Sequence, residues 1–122
     1  MTKGIILFGH GARNAEYLEP FHRIRAEALA NDPGARVELG FLELTQPLLE
    51  TTIDAFVAEG ITSIVIVPIF FAPGRHVLKD LPQLAAAALD RHPELGIEIA
   101  PAVGQAPAVV AAMARHAIDS AA

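Results

Sequence analysis

The sequence contains no cysteine, and this absence removes several kinds of chemistry. Disulfide bonds, thiolate zinc sites and cysteine nucleophiles are all excluded. No apolar run approaches the ~18 residues that a membrane-spanning helix needs, so we expect no membrane contact. Residues 1–5 lack the charged region, apolar region and cleavage site of a signal peptide. We therefore expect a cytoplasmic protein.

Positive charge is also scarce. The chain has nine lysine and arginine residues and 14 aspartate and glutamate residues, which gives a formal net charge of −5. Nonspecific nucleic-acid binding relies on a basic surface, so we expect no nucleic-acid partner. An acidic small ligand is not excluded, because local charge can oppose the overall sign.

The length and composition predict one domain over residues 1–122, since 52% of the chain is hydrophobic and a core can be buried. Strands are predicted at residues 4–8, 36–42, 62–67 and 96–100. Helices are predicted at about 15–30, 45–59, 80–92 and 107–119. Repeated strand–helix units with short links predict an α/β fold with a parallel sheet and right-handed crossovers.

Prolines and possible caps set the expected starts of the first two helices. Pro20 conflicts with an interior position, so the first helix is expected to start late or to kink. Thr45 is expected to cap the second helix, with Pro47 in its first turn and Gly60 just past its end.

The third helix is expected to begin only after a long loop. Asp80 and Gln83 have the spacing of a capping box, and Pro82 would fall in the first turn. This places residues 68–79 in a loop, and long loops in compact domains are usually functional or mobile. Within it, Pro68, Pro73 and Gly74 are expected to fix the backbone.

Two histidines each follow a predicted parallel strand. His10 lies between two glycines just after the first strand, and His76 lies in the long loop after the third. In open α/β sheets the ligand crevice lies outside the carboxyl ends of the strands, so both imidazoles are expected to face one crevice. Imidazole titrates near neutral pH and is the commonest metal ligand, which favours metal handling or proton transfer. The alternative for His10 is a tight turn with an incidental histidine.

Glu43 lies at the carboxyl end of the second predicted strand and is the carboxylate expected beside the histidines. The alternative is a charge favoured by the dipole of the following helix. The set His10, Glu43 and His76 has no matching serine or cysteine nucleophile. It can bind a divalent metal weakly, with positions left open, or remove protons from a ligand. Insertion of a metal into a macrocycle needs both abilities.

Other residues of the same loops suggest how a ligand would be held. Phe70 and Phe71 would wall a flat apolar cavity, unless one of them belongs to the core. Arg13, Arg75 and Lys79 would form a cationic rim for a carboxylated ligand, unless they are ordinary solvated surface. The three remaining histidines are not expected to be catalytic: His22, His92 and His116.

These segments together resemble a known family, the small form of the class II chelatases (the sirohydrochlorin cobaltochelatase/ferrochelatase group). The resemblance covers essentially the whole chain. It rests on Leu-Phe-Gly-His-Gly-Ala-Arg at 7–13, Phe-Leu-Glu at 41–43 with Pro47, Val-Pro-Ile-Phe-Phe at 67–71, and Gly-Arg-His at 74–76 with Asp80 and Pro82.

The resemblance implies a four-stranded parallel sheet in a chelatase-like, flavodoxin-related fold, and a homodimer of two short chains. It implies that His10 and His76 bind the metal and accept protons, with Glu43 assisting. The implied substrates are sirohydrochlorin, an acidic tetrapyrrole that suits the cationic rim, and a divalent metal, Co²⁺ first and otherwise Fe²⁺ or Ni²⁺, with no organic cofactor.

One position departs from the family's pattern. The first motif often has serine where this chain has Ala12, which removes any hydrogen bond from that hydroxyl.

The function expected is metal insertion into sirohydrochlorin in cobalamin or sirohaem biosynthesis. The alternatives are a non-catalytic carrier of metal or tetrapyrrole, and an α/β scaffold whose histidines are incidental.

Overall fold

Strands and helices alternate along the chain in the computed structural model, which describes residues 3–72 and 74–122. The main elements are β1 (Gly4–Gly9), α1 (Glu19–Asn31), β2 (Arg36–Phe41), α2 (Leu49–Ala58), β3 (Ser63–Pro68), α3 (Arg75–Arg91), β4 (Gly96–Ile99) and α4 (Pro107–Ser120). Short 3₁₀ turns lie at Ala15–Leu18 and Val103–Gln105. Pro73, expected to fix the loop after β3, lies outside the described residues.

The four strands form one parallel sheet in the order β2-β1-β3-β4. β1 lies at its centre and pairs with β2 on one side and β3 on the other. Both faces of the sheet are covered, which explains why β1 and β3 are continuous apolar runs rather than alternating ones. The predicted α/β class and four-stranded parallel sheet are confirmed.

The core divides into two clusters because successive side chains of a strand point to opposite faces. Ile6 and Phe8 of β1 lie in a cluster with residues of α2 and α3, and both are fully buried. Leu7, one position between them, packs in the other cluster with Phe21 of α1 and Phe41 of β2. Each large side chain buried in this way contributes about 1.5–3 kcal/mol. The two clusters fix β1, and therefore the start of the loop that follows it.

The first helix starts late, as Pro20 predicts. Pro20 lies in the first turn of α1, where its missing N–H has no helical partner to lose. The residues before it form the Ala15–Leu18 turn, which Asn14 caps by accepting a hydrogen bond from the Glu16 amide at 2.9 Å.

The predicted cap of the second helix is wrong. α2 begins at Leu49, and the residue before it, Leu48, makes no side-chain cap. Thr45 lies outside the helix, and Pro47 follows a cis peptide bond before the helix begins. Gly60 does lie just past the end of α2, with a φ of +89°.

The predicted start of the third helix is also wrong. α3 begins at Arg75, so His76 lies in its first turn, and Asp80 and Pro82 are interior. Proline in a helix removes the hydrogen bond to the carbonyl one turn earlier, here that of Leu78. Leu78 is 63% exposed, so water can satisfy that carbonyl. The loop after β3 is consequently shorter than expected.

The last helix is poorly covered by the rest of the chain. None of the residues of α4 is buried, and the helix packs mainly against the Val103–Gln105 turn. Val110 is 47% and Ile118 is 70% exposed. In the described part of the chain, no helix combines the length and the apolar character needed to cross a bilayer.

Candidate functional site

A cavity of about 470 Å³ opens at the carboxyl edge of the sheet. Its walls come from the loops after β1 and β3, the Val103–Gln105 turn and α4. His10 and Tyr17 supply nitrogen and oxygen atoms, whereas residues such as Phe70, Phe71 and Met113 make the rest of the wall apolar. A mostly apolar cleft with a few polar groups is the usual form of a small-molecule site.

The two phenylalanines play different parts in this wall. Phe70 is half-buried and its ring centroid lies 6.1 Å from that of Phe8 in the core. Phe71 is 77% exposed. The backbone of this pair is held by Gly104, whose amide donates to the Phe70 carbonyl at 2.9 Å. A β-carbon at Gly104 would overlap the backbone of Phe71, so only glycine allows this approach.

His10 presents one ring nitrogen for chemistry. Its side chain is exposed, and Nδ1 lies 3.2 Å from the carbonyl oxygen of Gly11. In the tautomer protonated at Nδ1, this nitrogen donates to that carbonyl, and Nε2 keeps a free lone pair. Metal-ligating histidines usually have such a second partner on the other nitrogen. His10 can therefore bind a metal or accept a proton through Nε2.

The loops after β1 and β2 are joined directly. The amide of Leu42 donates to the Gly9 carbonyl at 3.0 Å, and that of Glu43 donates to the His10 carbonyl at 3.1 Å. Gly11 has a φ of +102°, and a β-carbon there would overlap the Glu43 carbonyl. The structure therefore brings His10 and Glu43 onto adjoining backbone, with the Glu43 side chain exposed.

Two residues of the site were not predicted from the sequence. Thr45 Oγ1 accepts a hydrogen bond from the Ala12 amide at 2.9 Å and donates one to the Ala12 carbonyl at 2.6 Å. Tyr17 accepts a hydrogen bond from the Gly11 amide at 3.3 Å and lines the cavity. Ala12 lacks a hydroxyl, yet its backbone is held by the hydroxyl of Thr45. No local pattern could have revealed the Thr45 contact, which spans 33 positions of the chain.

His76 occupies the first turn of α3, at the end of the loop that follows β3. Because β1 and β3 are parallel neighbours, this loop leaves the sheet beside the one that carries His10. His76 is exposed and is not one of the residues lining the cavity. Across residues 3–72 and 74–122, no three His, Asp or Glu side chains are grouped to hold a metal ion.

The three basic residues predicted to form a cationic rim are all exposed. Arg75 and Lys79 lie one turn apart on α3 and so share a face, and Arg13 follows β1. None of the three takes part in the ion pairs found among the described residues. Their charges are therefore free to meet an acidic ligand.

Comparison with known families decides where this chain belongs. The CbiX family model matches residues 4–120. The chain belongs to the CbiX family. It is 27% identical to the CbiX protein of known structure from Marinobacter aquaeolei VT8, with a TM-score of 0.84 over 97% of this chain and 96% of that one. The predicted family is confirmed.

Curated relatives of this CbiX-family chain carry names that state a reaction. The sirohydrochlorin cobaltochelatase of Methanococcus aeolicus is 33% identical over 67% of this chain and 57% of its own length. The sirohydrochlorin ferrochelatase of Bacillus subtilis is 29% identical over 85% of this chain and 40% of its own length. The matched region thus spans about half the length of these relatives.

Among the other histidines of this CbiX-family chain, His92 has a structural contact. It follows α3, and its Nε2 lies 2.8 Å from Oδ1 of Asp54, which also pairs with Arg91 at 3.0 Å. The hydrogen bond from His92, reinforced by Arg91, holds the pKa of Asp54 below its ordinary value of 3.8. This cluster joins α2 to the end of α3 and is not part of the cavity wall.

Proposed function

We propose that this CbiX-family chain inserts a divalent metal into sirohydrochlorin. The observation that carries the proposal is the free Nε2 of His10 on the wall of an apolar cavity. The names of the curated relatives support the same reaction. Co²⁺ is the first candidate metal, and Fe²⁺ or Ni²⁺ are the others, because imidazole and carboxylate suit all three. The product would serve cobalamin or sirohaem biosynthesis.

The macrocycle would bind by its flat apolar face and its acidic edge. Phe70 and Phe71 offer apolar surface in the cavity. Arg13 follows β1, and Arg75 and Lys79 lie near the start of α3. All three are exposed cations that would pair with the carboxylates of the tetrapyrrole. Paired carboxylates would orient the ring, and burial of the ring would exclude water from its centre.

The metal would be held weakly and then transferred. His10 and His76 would bind it, with Glu43 assisting, and the remaining positions would be left to water or to the macrocycle. A metal that is a substrate must leave the protein, and a closed set of four protein ligands would retain it. The described residues contain no group of three His, Asp or Glu side chains that would hold a metal ion, which is consistent with this need.

Proton transfer completes the reaction. As each of two metal–nitrogen bonds forms at a pyrrole, an N–H bond there breaks, and the proton needs an acceptor. The backbones of His10 and Glu43 are hydrogen-bonded to each other. Nε2 of His10 and the exposed carboxylate of Glu43 can each accept such a proton before water removes it. Metal charge and proton charge then never accumulate together in the cavity.

We also propose that two copies of the chain pair as a homodimer. α4 exposes apolar residues and buries none, which is an unusual state for a helix of this composition. The Bacillus subtilis relative, of which the aligned region covers 40%, has enough additional chain for a second unit of this size. A second copy would cover α4 and deepen a cavity that α4 only partly encloses.

The proposal is tested by an anaerobic absorbance assay with sirohydrochlorin and Co²⁺, Fe²⁺ or Ni²⁺. The wild-type protein is expected to complete many turnovers. His10→Ala and His76→Ala are expected to lose at least about 100-fold in rate, while His22→Ala, an exposed histidine on α1, keeps wild-type activity. Full activity of both site variants would contradict the assignment. A single stoichiometric binding event without turnover would instead identify a carrier.

A further inference from the structure

One side chain joins the loop that carries His10 to the loop that carries Glu43. The hydroxyl of Thr45 accepts a hydrogen bond from the amide of Ala12 at 2.9 Å and donates one to the carbonyl of Ala12 at 2.6 Å. Thr45 is half-buried, and its hydroxyl has no other partner among the described residues. Both hydrogen-bonding capacities of the hydroxyl are therefore used on one residue that lies 33 positions away.

The segment that Thr45 fixes has little freedom on its other side. The amide of Thr45 donates a hydrogen bond to the Glu43 carbonyl at 2.8 Å, which closes a tight turn around Leu44. Leu44 has a φ of +68°, a conformation that residues other than glycine rarely adopt. A turn of this kind persists only where surrounding contacts hold it. The contacts that hold it here are the two hydrogen bonds between Thr45 and Ala12 and the hydrogen bond from the Glu43 amide to the His10 carbonyl.

We propose that Thr45 is a positioning residue for the reaction, acting through the backbone of Ala12. It holds the loop after β1 against the loop after β2, so that His10 and Glu43 keep one relative arrangement. This inference rests on the proposed function, which gives His10 and Glu43 their roles. Thr45 itself is not one of the residues lining the cavity.

The test compares substitutions that keep or remove the hydroxyl. Thr45→Val has the same shape but neither donates nor accepts, and kcat is expected to fall about 10–100-fold, as for other groups that orient a ligand. KM for sirohydrochlorin is expected to stay within about twofold, because the apolar wall at Phe70 and Phe71 is untouched. Thr45→Ser restores the hydroxyl and is expected to return kcat to within about threefold of wild type.

A matched control separates positioning from stability. Thr52 on α2 is buried and donates its hydroxyl to the Leu39 carbonyl at 2.7 Å, away from both loops. Thr52→Val removes a buried hydrogen bond in the same chemical way, so it is expected to lower the midpoint of thermal unfolding and to leave kcat unchanged. A loss of kcat in Thr52→Val equal to that in Thr45→Val would overturn the positioning role.

The outcomes also distinguish this inference from the proposed function. If His10→Ala is inactive and folded Thr45→Val has wild-type kcat, the positioning role is refuted and the proposed function stands. If His10→Ala is fully active, the proposed function fails first. Should Thr45→Val not fold, Thr45→Cys is the second variant, because its thiol is only a weak donor and a weak acceptor. Its kcat is expected to be lower than that of Thr45→Ser. A wild-type kcat in Thr45→Cys would refute the inference.

Discussion

The α-carbon of Gly11 lies directly against the carbonyl oxygen of Glu43, so closely that no β-carbon fits between them. Gly11 also has a φ of +102°, which side chains rarely allow. The two loops at the carboxyl edge of β1 and β2 therefore pack backbone to backbone. A shift of one loop must move the other.

Substitution of Gly11 tests this contact. Gly11→Ala is expected to lower activity at least about 10-fold and the free energy of unfolding by roughly 1–3 kcal/mol, because the β-carbon displaces Glu43 from His10. Gly34→Ala is the control, since a β-carbon there would meet only Asp32 Oδ1 at 3.6 Å. Turnover assays and urea unfolding measure both effects. Wild-type values for Gly11→Ala would show that the loops are not coupled.

Substitution of Gly104 addresses the apolar wall instead. Gly104→Ala would place a β-carbon on the backbone of Phe71 and push the loop after β3 outward. KM for sirohydrochlorin is expected to rise about 10-fold with kcat less affected, because uniform binding of the ring is lost. Steady-state kinetics at varied sirohydrochlorin measure this split. Gly96→Ala, with ordinary space around its β-carbon, should behave as wild type; an unchanged KM in Gly104→Ala would contradict the role of this wall.

The Asp54 cluster predicts a pH-dependent contribution to stability. His92 and Arg91 lower the pKa of Asp54 in the folded state, so folding favours the ionised carboxylate. That contribution is present above the ordinary pKa of 3.8 and is lost as the pH falls through the lower folded-state value. Asp54→Asn is therefore expected to be less stable than wild type at neutral pH, by less than about 1 kcal/mol because the pair is half-exposed.

Urea unfolding of wild type and Asp54→Asn at several pH values measures this difference. It is expected to shrink as the pH falls below the ordinary pKa of 3.8 and the carboxylate becomes protonated first in the unfolded and then in the folded state. Asp90→Asn, which removes an exposed carboxylate on α3 that forms none of the described ion pairs, controls for the loss of charge. A difference that grows as the pH falls would contradict the explanation.

The exposed apolar side of α4 predicts how the proposed homodimer can be disrupted. Val110 and Ile118 lie about two turns apart on the same side of the helix. Val110→Glu combined with Ile118→Glu is expected to shift sedimentation from dimer to monomer, because an interface cannot bury unpaired charge. Gln83→Glu, on the exposed surface of α3, adds negative charge elsewhere and should remain dimeric. A wild-type monomer at micromolar concentration would refute the pairing.

The sheet was predictable because parallel strands buried on both faces leave a strong signal. Ile64 and Ile66 of β3 are fully buried in an uninterrupted apolar run, which is typical of a central parallel strand. Pro20 likewise predicted the late start of α1, since proline is favoured in a first turn and usually disrupts a helix further inside. The position of His10 followed from the end of β1 and the two glycines around it.

The start of α3 and the role of Thr45 could not be read in the same way. Pro82 is a common signal of a helix start, and only its exposed surroundings explain why α3 tolerates it in the interior. Thr45 has the composition of a cap, but the tertiary contact with Ala12 takes its hydroxyl. The wall formed by Val103 and Met113 comes from the end of the chain, and no spacing rule connects these residues to His10.

The contacts made by Gly11 and Gly104 have a consequence for engineering. Each glycine lets one loop rest on the backbone of another: the first on the segment of Glu43 and the second on that of Phe71. A single loop transplanted from a homologous protein would lack the backbone segment against which it packs in its own structure. Chimeras that change metal preference would have to exchange these segments as matched pairs.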